Sequence, residues 1–595
     1  MTNQFTNNKK ISALLYMLVG LFSLLIFLKN AWVTEDAFII LRSVDQFLLG
    51  HGFRWNPHER VQVYTSPLWY LLIIASTFFC KTLYLNLISL SLLLHIALLV
   101  AMAVFIKNIW RWLAAALLLT LSQGFFDFTA SGLEYPLVYL LLAAFVLLYL
   151  RDRPIEDRYW LALCGGLALI TRHDLLFILT PMLLHLAWNY RHSLTRQQQF
   201  AVAAIFIAPL FCWTLFSLIY YGMPFPNTAY AKLGISGVSR IERLERGLIY
   251  LSVSLRYDPI TPLCIGLAIL QGFCSHNTHY KMLGTSLSLA LLYVIWIGAD
   301  YMMGRFFAPL YIVSVILLVM HPWHKPLAHR MTVLPLAASL TFLSYYMLAA
   351  NIYNPALGKL LAMLPPPTQL QVQATFALLC FSLFVIGLFS LTNRRMMAAL
   401  LALLLAISTQ QFDSPWQTSY KNWGRVDDIW WNINNVSRER YWIYRWTSLY
   451  AWFHQDHSKK FPDHPWCREG QAMPQVEVLG LAGMIPYCMG TDKIAIDVKA
   501  ITDPLLTRMP KSPEAIWASG GVNRIVPAGY IASVVEGQNK IEDPDLARYY
   551  SKLLILTHSE PLLSAERLRT IAAFNLGLYD HWLQAHNDRI TQSPH

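Results

Sequence analysis

The sequence predicts an α-helical polytopic membrane protein carrying a soluble α/β domain at its C-terminal end, and three observations carry that prediction. Hydrophobic residues make up 56% of the 595 and charged residues 13%, where a soluble domain has roughly a quarter charged. Nearly uninterrupted apolar runs recur, among them Ile11–Leu28, Tyr135–Leu150 and Ala374–Leu391. They approach the roughly 20 residues that span about 30 Å of hydrocarbon. The basic residues fall in short clusters between these runs, as in cytoplasmic loops facing anionic lipid. The formal charge of +12 therefore points to a bilayer and not to nucleic acid.

The clusters fix the order of the spans. Lys9 and Lys10 precede a run too long for a signal core, and no small-x-small cleavage site follows. A retained first helix with a cytoplasmic N-terminus is expected. Lys107/Arg111, Arg151/Arg153/Arg158, Arg191/Arg196, Lys281, Lys325/Arg330 and Arg394/Arg395 then return the chain to the same side. Leu68–Phe79 is too short to span and begins after Pro67, so it reads as a helix in the outer interface. About 13 transmembrane helices then fill residues 1–410, and residues 411–595 are exported. The outer loops are 30–83, 123–134, 172–174, 221–258, 298–305 and 351–369. Nearly all the unusual polar residues lie in them, which places the chemistry on the extracytoplasmic face. No internal repeat is evident, which weighs against transporters built from paired halves.

From Asp413 onward apolar runs shorten and Trp, Tyr, Asn and Pro become frequent. Val476–Leu481 and Lys493–Val498 read as strands, 542–556 and 562–584 as helices. Six cysteines lie in or beside apolar segments as small hydrophobes. Cys467 and Cys488 stand alone in the tail, where an oxidising compartment allows them to pair. The aromatic residues from Trp416 to Trp452 fit a sugar-binding surface and a membrane-interface belt equally well. His276/His279 and His321/His324 have ligand-like spacing but no companion acids or cysteines, so no metal is expected. Asn435-Val-Ser437 is a chance-level sequon.

The first outer loop, 30–83, holds the sharpest constellation. Thr34 can cap a helix whose apolar positions Ala37, Leu41, Val44 and Leu48 share one face and which ends at Gly50 and Gly52. Glu35 and Asp36 sit in its first turn, where the positive end of the dipole favours carboxylates. An acidic pair held at the membrane surface suits proton abstraction from a hydroxyl; acids there are also ordinary helix starters. The loop continues Gly50-His51-Gly52, then Asn56-Pro-His-Glu-Arg-Val61 and Tyr64-Thr-Ser-Pro-Leu-Trp69.

With these motifs the chain resembles the arabinofuranosyltransferase branch of the GT-C glycosyltransferases. It is similar to AftB-type cell-wall enzymes and TfpW-type pilin arabinosyltransferases. Ser131-Gly-Leu-Glu134, Thr171-Arg-His-Asp174, Tyr220-Tyr-Gly-Met-Pro-Phe-Pro-Asn-Thr228, Tyr230-Ala-Lys232 and Gly298-Ala-Asp-Tyr-Met-Met-Gly-Arg305 follow in the same order. In the tail, Asp497 with Thr502-Asp-Pro504, Pro527-Ala-Gly-Tyr530 and Ile541-Glu-Asp-Pro544 continue the match. Glu35 stands where aspartate is common, and His173 where Arg-Pro-Asp is usual.

The resemblance implies transfer of a sugar, arabinofuranose above all, from polyprenyl phosphate to an exported acceptor, a pilin Ser or Thr or a cell-envelope glycan. It implies an inner-membrane enzyme with the lipid-linked sugar as donor substrate and no firm cofactor. Asp36 is its expected catalytic base. Arg305, with Lys232 and Arg172, is expected at the donor phosphate, because preorganised cations stabilise a leaving anion. His173 and Tyr230 are expected at donor phosphate or sugar; Glu35, Glu134, Asp300 and His51 are further substrate-binding candidates. The alternatives are another polyprenyl-linked sugar on the same fold, or a lipid-linked-sugar flippase, which would place ionisable residues near the midplane.

Overall fold

A computed structural model describes residues 2–151, 155–233, 240–258, 260–321, 446–455, 461, 464–512 and 521–592. The expected spans within 322–410, the outer loop 351–369, the boundary at 410/411, Trp416 and the Asn435 sequon lie outside the described residues.

Helices dominate. They are α1 (Thr2–Asn30), α2 (Glu35–Leu48), α3 (Pro67–Ser76), α4 (Leu83–Phe105), α5 (Ile109–Leu121), α6 (Gln123–Thr129), α7 (Tyr135–Arg151) and α8 (Ile155–Thr171). After these come α9 (Leu176–Ser193), α10 (Arg196–Tyr220), α11 (Asn227–Leu233), α12 (Arg240–Tyr257), α13 (Ile260–Cys274), α14 (Thr278–Trp296) and α15 (Phe307–Met320). Among the described residues, Ser12–Asn30 of α1, α4 and α10 are long and apolar enough to cross a membrane. The α5–α6 pair, bent by 82°, adds a broken span, and α3, α7, α13 and α15 are shorter apolar helices. The chain is a multi-pass membrane protein. The segments 123–134 and 221–258, expected as outer loops, hold more helix than expected, since α6, α11 and α12 fall inside them.

Some polar side chains of the apolar helices pair with one another. Ser23 Oγ of α1 lies 2.9 Å from His95 Nε2 of α4. The α5–α6 bend sits at Ser122, which caps α6 by accepting from Phe125 N. Asp258 reinforces the bend, accepting from Gly124 N at 2.8 Å and Thr261 Oγ1 at 2.7 Å.

The expected helix after Thr34 is present, with two corrections. Thr34 occupies the cap position in extended conformation, yet its hydroxyl makes no capping bond. Leu48 is exposed, while Ala37, Leu41 and Val44 are buried as expected. The helix is also buried more fully than an interfacial one, on Phe38, Ile39, Ile40, Arg42 and Gln46 as well. The tail covers it. The interfacial helix foreseen at Leu68–Phe79 is α3, started by Pro67 at its first position.

The tail strands are Val476–Leu479 and Ile494–Asp497, paired in parallel with Val476 opposite Ile494. The helix expected at 542–556 spans Pro544–His558; the one at 562–584 is two, Ala565–Asn575 and Asp580–Gln592. Cys467 and Cys488 form a disulfide with Cα atoms 5.0 Å apart, fastening helix Pro465–Ala472 to helix Met484–Met489.

The tail is docked on α2, the 221–258 segment and the end of α10 by buried side chains that meet backbone groups. Arg42 donates to the carbonyls of Trp55, Pro486, Gly490 and Lys493. Asn227 Nδ2 reaches the carbonyls of Ala500, Ile501 and Asp503, each at 3.1 Å. Arg567 donates to Ile219 O and Tyr220 O at the end of α10 and to Leu556 O of the tail. Basic side chains at a helix C-terminus satisfy its orphan carbonyls. The tail motif residues act within this frame. Asp497 accepts from the amides of Lys499, Ile501 and Thr502, and Asp503 from Leu505, Leu506 and the Tyr530 hydroxyl.

Candidate active site

The segment leading into α2 is held on both sides. Trp32 N and Thr34 N donate to the carbonyls of Ala130 and Ser131, while Val33 N donates to Thr447 O. Trp69 Nε1 donates to Gly132 O, and Gly132, at φ +79°, lets the loop pack against Leu87 and Ala37. The first turn of α2, with Asp36, thus has a fixed position beside Ser131-Gly-Leu-Glu134.

Arg305 arrives from the loop between α14 and α15. Gly304, at φ +81°, brings its backbone against Gly124 of α6, where an added Cβ would lie 2.8 Å from Gly124 Cα. Tyr250 of α12 ties the loop from within, donating to Met302 O and accepting from Phe306 N, both at 3.1 Å.

The two segments meet at one ion-paired cluster. Arg305 Nη1 donates to Asp36 Oδ2 at 2.7 Å and to Asp300 Oδ2 at 3.0 Å. The Tyr301 hydroxyl lies 3.4 Å from Asp36 Oδ1. Asp36 keeps a quarter of its side chain exposed, whereas Asp300 is buried. Burial opposes the charge on Arg305, but Asp300 and Asp36 outweigh it and hold the guanidinium well above its usual pKa. A single nitrogen serves both carboxylates. Among the described residues, the buried Nε has no hydrogen-bond partner and Nη2 donates to no protein group.

A second cluster lies against the first. Arg172 donates to Asp174 through Nε and Nη2 at 3.0 and 2.8 Å, and through Nη1 to Glu134 at 2.9 Å and Tyr135 at 2.8 Å. Phe306, next to Arg305, places its ring 5.3 Å from the same guanidinium. Every nitrogen of Arg172 is engaged, so it braces the site and is not a free phosphate ligand. His173 is half-buried beside it, and burial holds its imidazole below the usual value.

The other candidates are placed elsewhere. Glu35, one residue from Asp36, turns away and accepts from Gly483 N at 2.7 Å and Met484 N at 3.2 Å, at the start of the tail helix Met484–Met489. Burial, helped by Asp36, pushes its carboxyl up to about 7; the dipole advantage expected for Glu35 is overridden by desolvation. His51 contacts Gln46 at 2.5 Å at the far end of α2, about 15 Å along the helix from Asp36. Tyr230 packs 5.5 Å from the Arg508 guanidinium of the tail. Lys232 is exposed and contacts neither Asp36 nor Arg305. These four leave the expected site. Asp174, Tyr301, Tyr250 and Phe306 join it; Asp174 and Tyr301 stood inside quoted motifs, whereas Tyr250 and Phe306 carried no local signal. Among the described residues no cluster of three or more His, Cys, Asp or Glu could hold a metal ion.

No family model matches the chain. It is 28% identical over 245 residues to a terminal β-(1→2)-arabinofuranosyltransferase of Mycobacterium tuberculosis, covering 38% of each chain. It is 29% identical over 339 residues to the enzyme of the same name from Corynebacterium glutamicum, covering 48% of each. The chain thus spans about half or less of these curated relatives. The resemblance to arabinofuranosyltransferases read in the motifs is borne out. Among solved structures, ArnT from Cupriavidus metallidurans bound to undecaprenyl phosphate superposes with TM-score 0.45 at 10% identity, over 81% of this chain and 85% of that one. The apo form of that protein gives 0.44 over 83% and 90%.

Proposed function

We propose that the protein is a GT-C-type membrane glycosyltransferase that moves arabinofuranose from polyprenyl phosphate to an exported acceptor, a pilin Ser or Thr or a cell-envelope glycan. One observation carries the reading. Arg305 spends one nitrogen on two carboxylates and leaves the Nε–Nη2 edge without a protein partner beside the partly exposed Asp36. That edge is the fork with which arginine grips phosphate side-on.

The reaction needs a hydroxyl to lose a proton as the sugar–phosphate bond breaks. Asp36 accepts that proton as the new glycosidic bond forms. Arg305, locked in the charged state by Asp300, takes up charge on the departing phosphate. Asp300 is the fixed counter-ion, so Arg305 need not leave its place when Asp36 is protonated. The polyprenyl chain lies among the apolar helices. In this reading residues 1–410 are the catalytic membrane domain, 411–595 an extracytoplasmic domain, and the N-terminus is cytoplasmic in the inner membrane.

The direct test incubates purified protein with a polyprenyl-phosphate arabinofuranose donor and, separately, with its glucose and mannose counterparts. Mass spectrometry of exported glycans and pilins from a deletion strain names the acceptor. Turnover of the arabinofuranose donor alone is the expected result. Turnover of another sugar with none of arabinofuranose would replace the donor while leaving the mechanism intact.

A further inference from the structure

α7, α8, α9 and α14 each have one end at the Asp36 site. Tyr135 opens α7, Arg172 follows α8, Asp174 precedes α9, and the Asp300 loop follows α14. Each has 17 to 19 residues, or about 25–29 Å of helix. Their opposite ends therefore converge about one hydrocarbon thickness away. There they enclose a second cavity, of about 290 Å³, unrelated to the catalytic residues.

Its lining carries both signs of charge. Arg158 lies with its guanidinium 4.5 Å from the Tyr190 ring and spends one hydrogen bond, at 3.5 Å, on Ser193. Asp157, beside it in sequence and in the wall, is ion-paired through Oδ2 with Arg151 Nε at 3.8 Å, and that buried oxygen accepts no hydrogen bond among the described residues. Asn189 and His279 add polar groups, and Leu148, Leu161 and Leu186 close the apolar side. Trp160 and Trp188 project from α8 and α9 at the same end, each more than 60% exposed. Exposed tryptophans mark the headgroup level of a bilayer.

We infer that this cavity binds the phosphoethanolamine headgroup of a phospholipid from the leaflet opposite the Asp36 site. Arg158 meets the phosphate, and the Asp157 carboxylate, partly exposed in the wall, accepts a hydrogen bond from the primary ammonium. The pairing selects the headgroup. A glycerol headgroup offers the carboxylate no cation. A quaternary choline offers a cation without an N–H, so it gives the Asp157 carboxylate no hydrogen bond. The apolar wall and the tryptophan level favour a lipid over its soluble headgroup.

Native mass spectrometry of the full chain, exchanged into mixed micelles with equal phosphatidylethanolamine, phosphatidylcholine and phosphatidylglycerol, tests this. Wild-type protein is expected to retain phosphatidylethanolamine about tenfold over the other two. Asp157→Asn should erase the preference for the ammonium, and Arg158→Gln should lower retention of all three, with both variants keeping donor transfer as the sign of a folded protein. Should a variant fail to fold, competition on the wild type by soluble phosphoethanolamine decides the source. Displacement only at concentrations far above the lipid's supports a lipid site. Displacement at equal concentration overturns it. Equal retention of the three lipids by wild type, or unchanged preference in both variants, also overturns the proposal.

Discussion

The two sides of α2 are built from the same residue types and do different things. On one side Glu35 and Arg42 face the tail; on the other Asp36 faces Arg305. Each side holds one carboxylate and one guanidinium, buried or half-buried. On the tail side the partners are backbone groups: amides for Glu35, and carbonyls for Arg42 Nε, Nη1 and Nη2. On the Asp36 side the partners are each other, and two nitrogens of Arg305 are left over. A buried polar group that ends on fixed backbone has finished its work in folding. Arg305 leaves donors uncommitted beside the partly exposed Asp36, where the proposed function places the donor phosphate. On α2, completeness of hydrogen bonding, more than residue type, distinguishes the two sides; the rule is local, since Arg60 and Arg524 at the tail seam also keep a buried Nε without a partner among the described residues.

The strongest way to break this comparison is Arg305. Arg305→Ala removes the charge meant for the leaving phosphate, and transfer should fall by about 10²–10³-fold. Arg305→Lys keeps a charge but loses the side-on edge, so it should recover only part of the rate. Rates on the purified variants with a lipid-linked donor decide it, and wild-type transfer by Arg305→Ala would remove the residue from the site. Arg42→Ala, by contrast, should act on folding and tail docking.

Asp36 comes next. Asp36→Asn keeps the shape and the contact with Arg305 but lacks a proton-accepting carboxylate, so transfer should drop by about 10²-fold. Donor affinity should persist, because the proposed phosphate contact is Arg305 and not Asp36. Measuring both separates a lost base from a lost binding site; a loss confined to affinity would mean that Asp36 holds substrate instead.

Much of this was legible in the sequence, and the failures have physical causes. The α2 boundaries with Asp36 in the first turn, the 298–305 loop bringing Arg305, and the two tail strands follow from periodicity, glycine punctuation and ordered motifs. Glu35 was not legible. Adjacent residues on a helix point about 100° apart, and only the tertiary structure shows that the tail covers one of the two directions. Arg172 looked like a free cation because Asp174 and Glu134 sit two and 38 positions away, and their closure on it requires α7 and α8 to be packed. His51 and Tyr230 share motifs with the site but not its location. A motif records what a family keeps, and the tail seam needs keeping as much as the chemistry does.

The disulfide sharpens the seam side. It closes a sequence separation of 21 residues, and the chain-entropy model gives about 3 kcal/mol for a loop of that size. Replacing Cys467 and Cys488 by Ser together should lower the thermal midpoint of the tail while leaving transfer per folded molecule within about twofold. A collapse of transfer in protein that remains folded would tie the tail directly to catalysis.

The smallest expected effect on transfer belongs to Glu35→Gln, which tests the comparison by its pH dependence. Burial raises the Glu35 carboxyl from an ordinary 4.5 to about 7 in the folded protein. Between those values the folded state holds a proton that the unfolded state has released. Stability therefore falls as pH rises through this window, by up to about 1.4 kcal/mol per pH unit for one group. Glu59 and Asp503 are raised to about 7 as well, chiefly by burial, so the wild-type slope has several sources. The difference between wild type and Glu35→Gln isolates one of them. Gln can still accept from the amides of Gly483 and Met484, so the two proteins should match near pH 4.5. The variant should gain relative protection as pH rises to about 7. Hydrogen exchange of the 483–490 amides, converted to opening free energies at each pH, reads this locally. Parallel curves for the two proteins would show that Glu35 releases no proton on opening, and a loss of transfer as deep as that of Asp36→Asn would place it in the site after all.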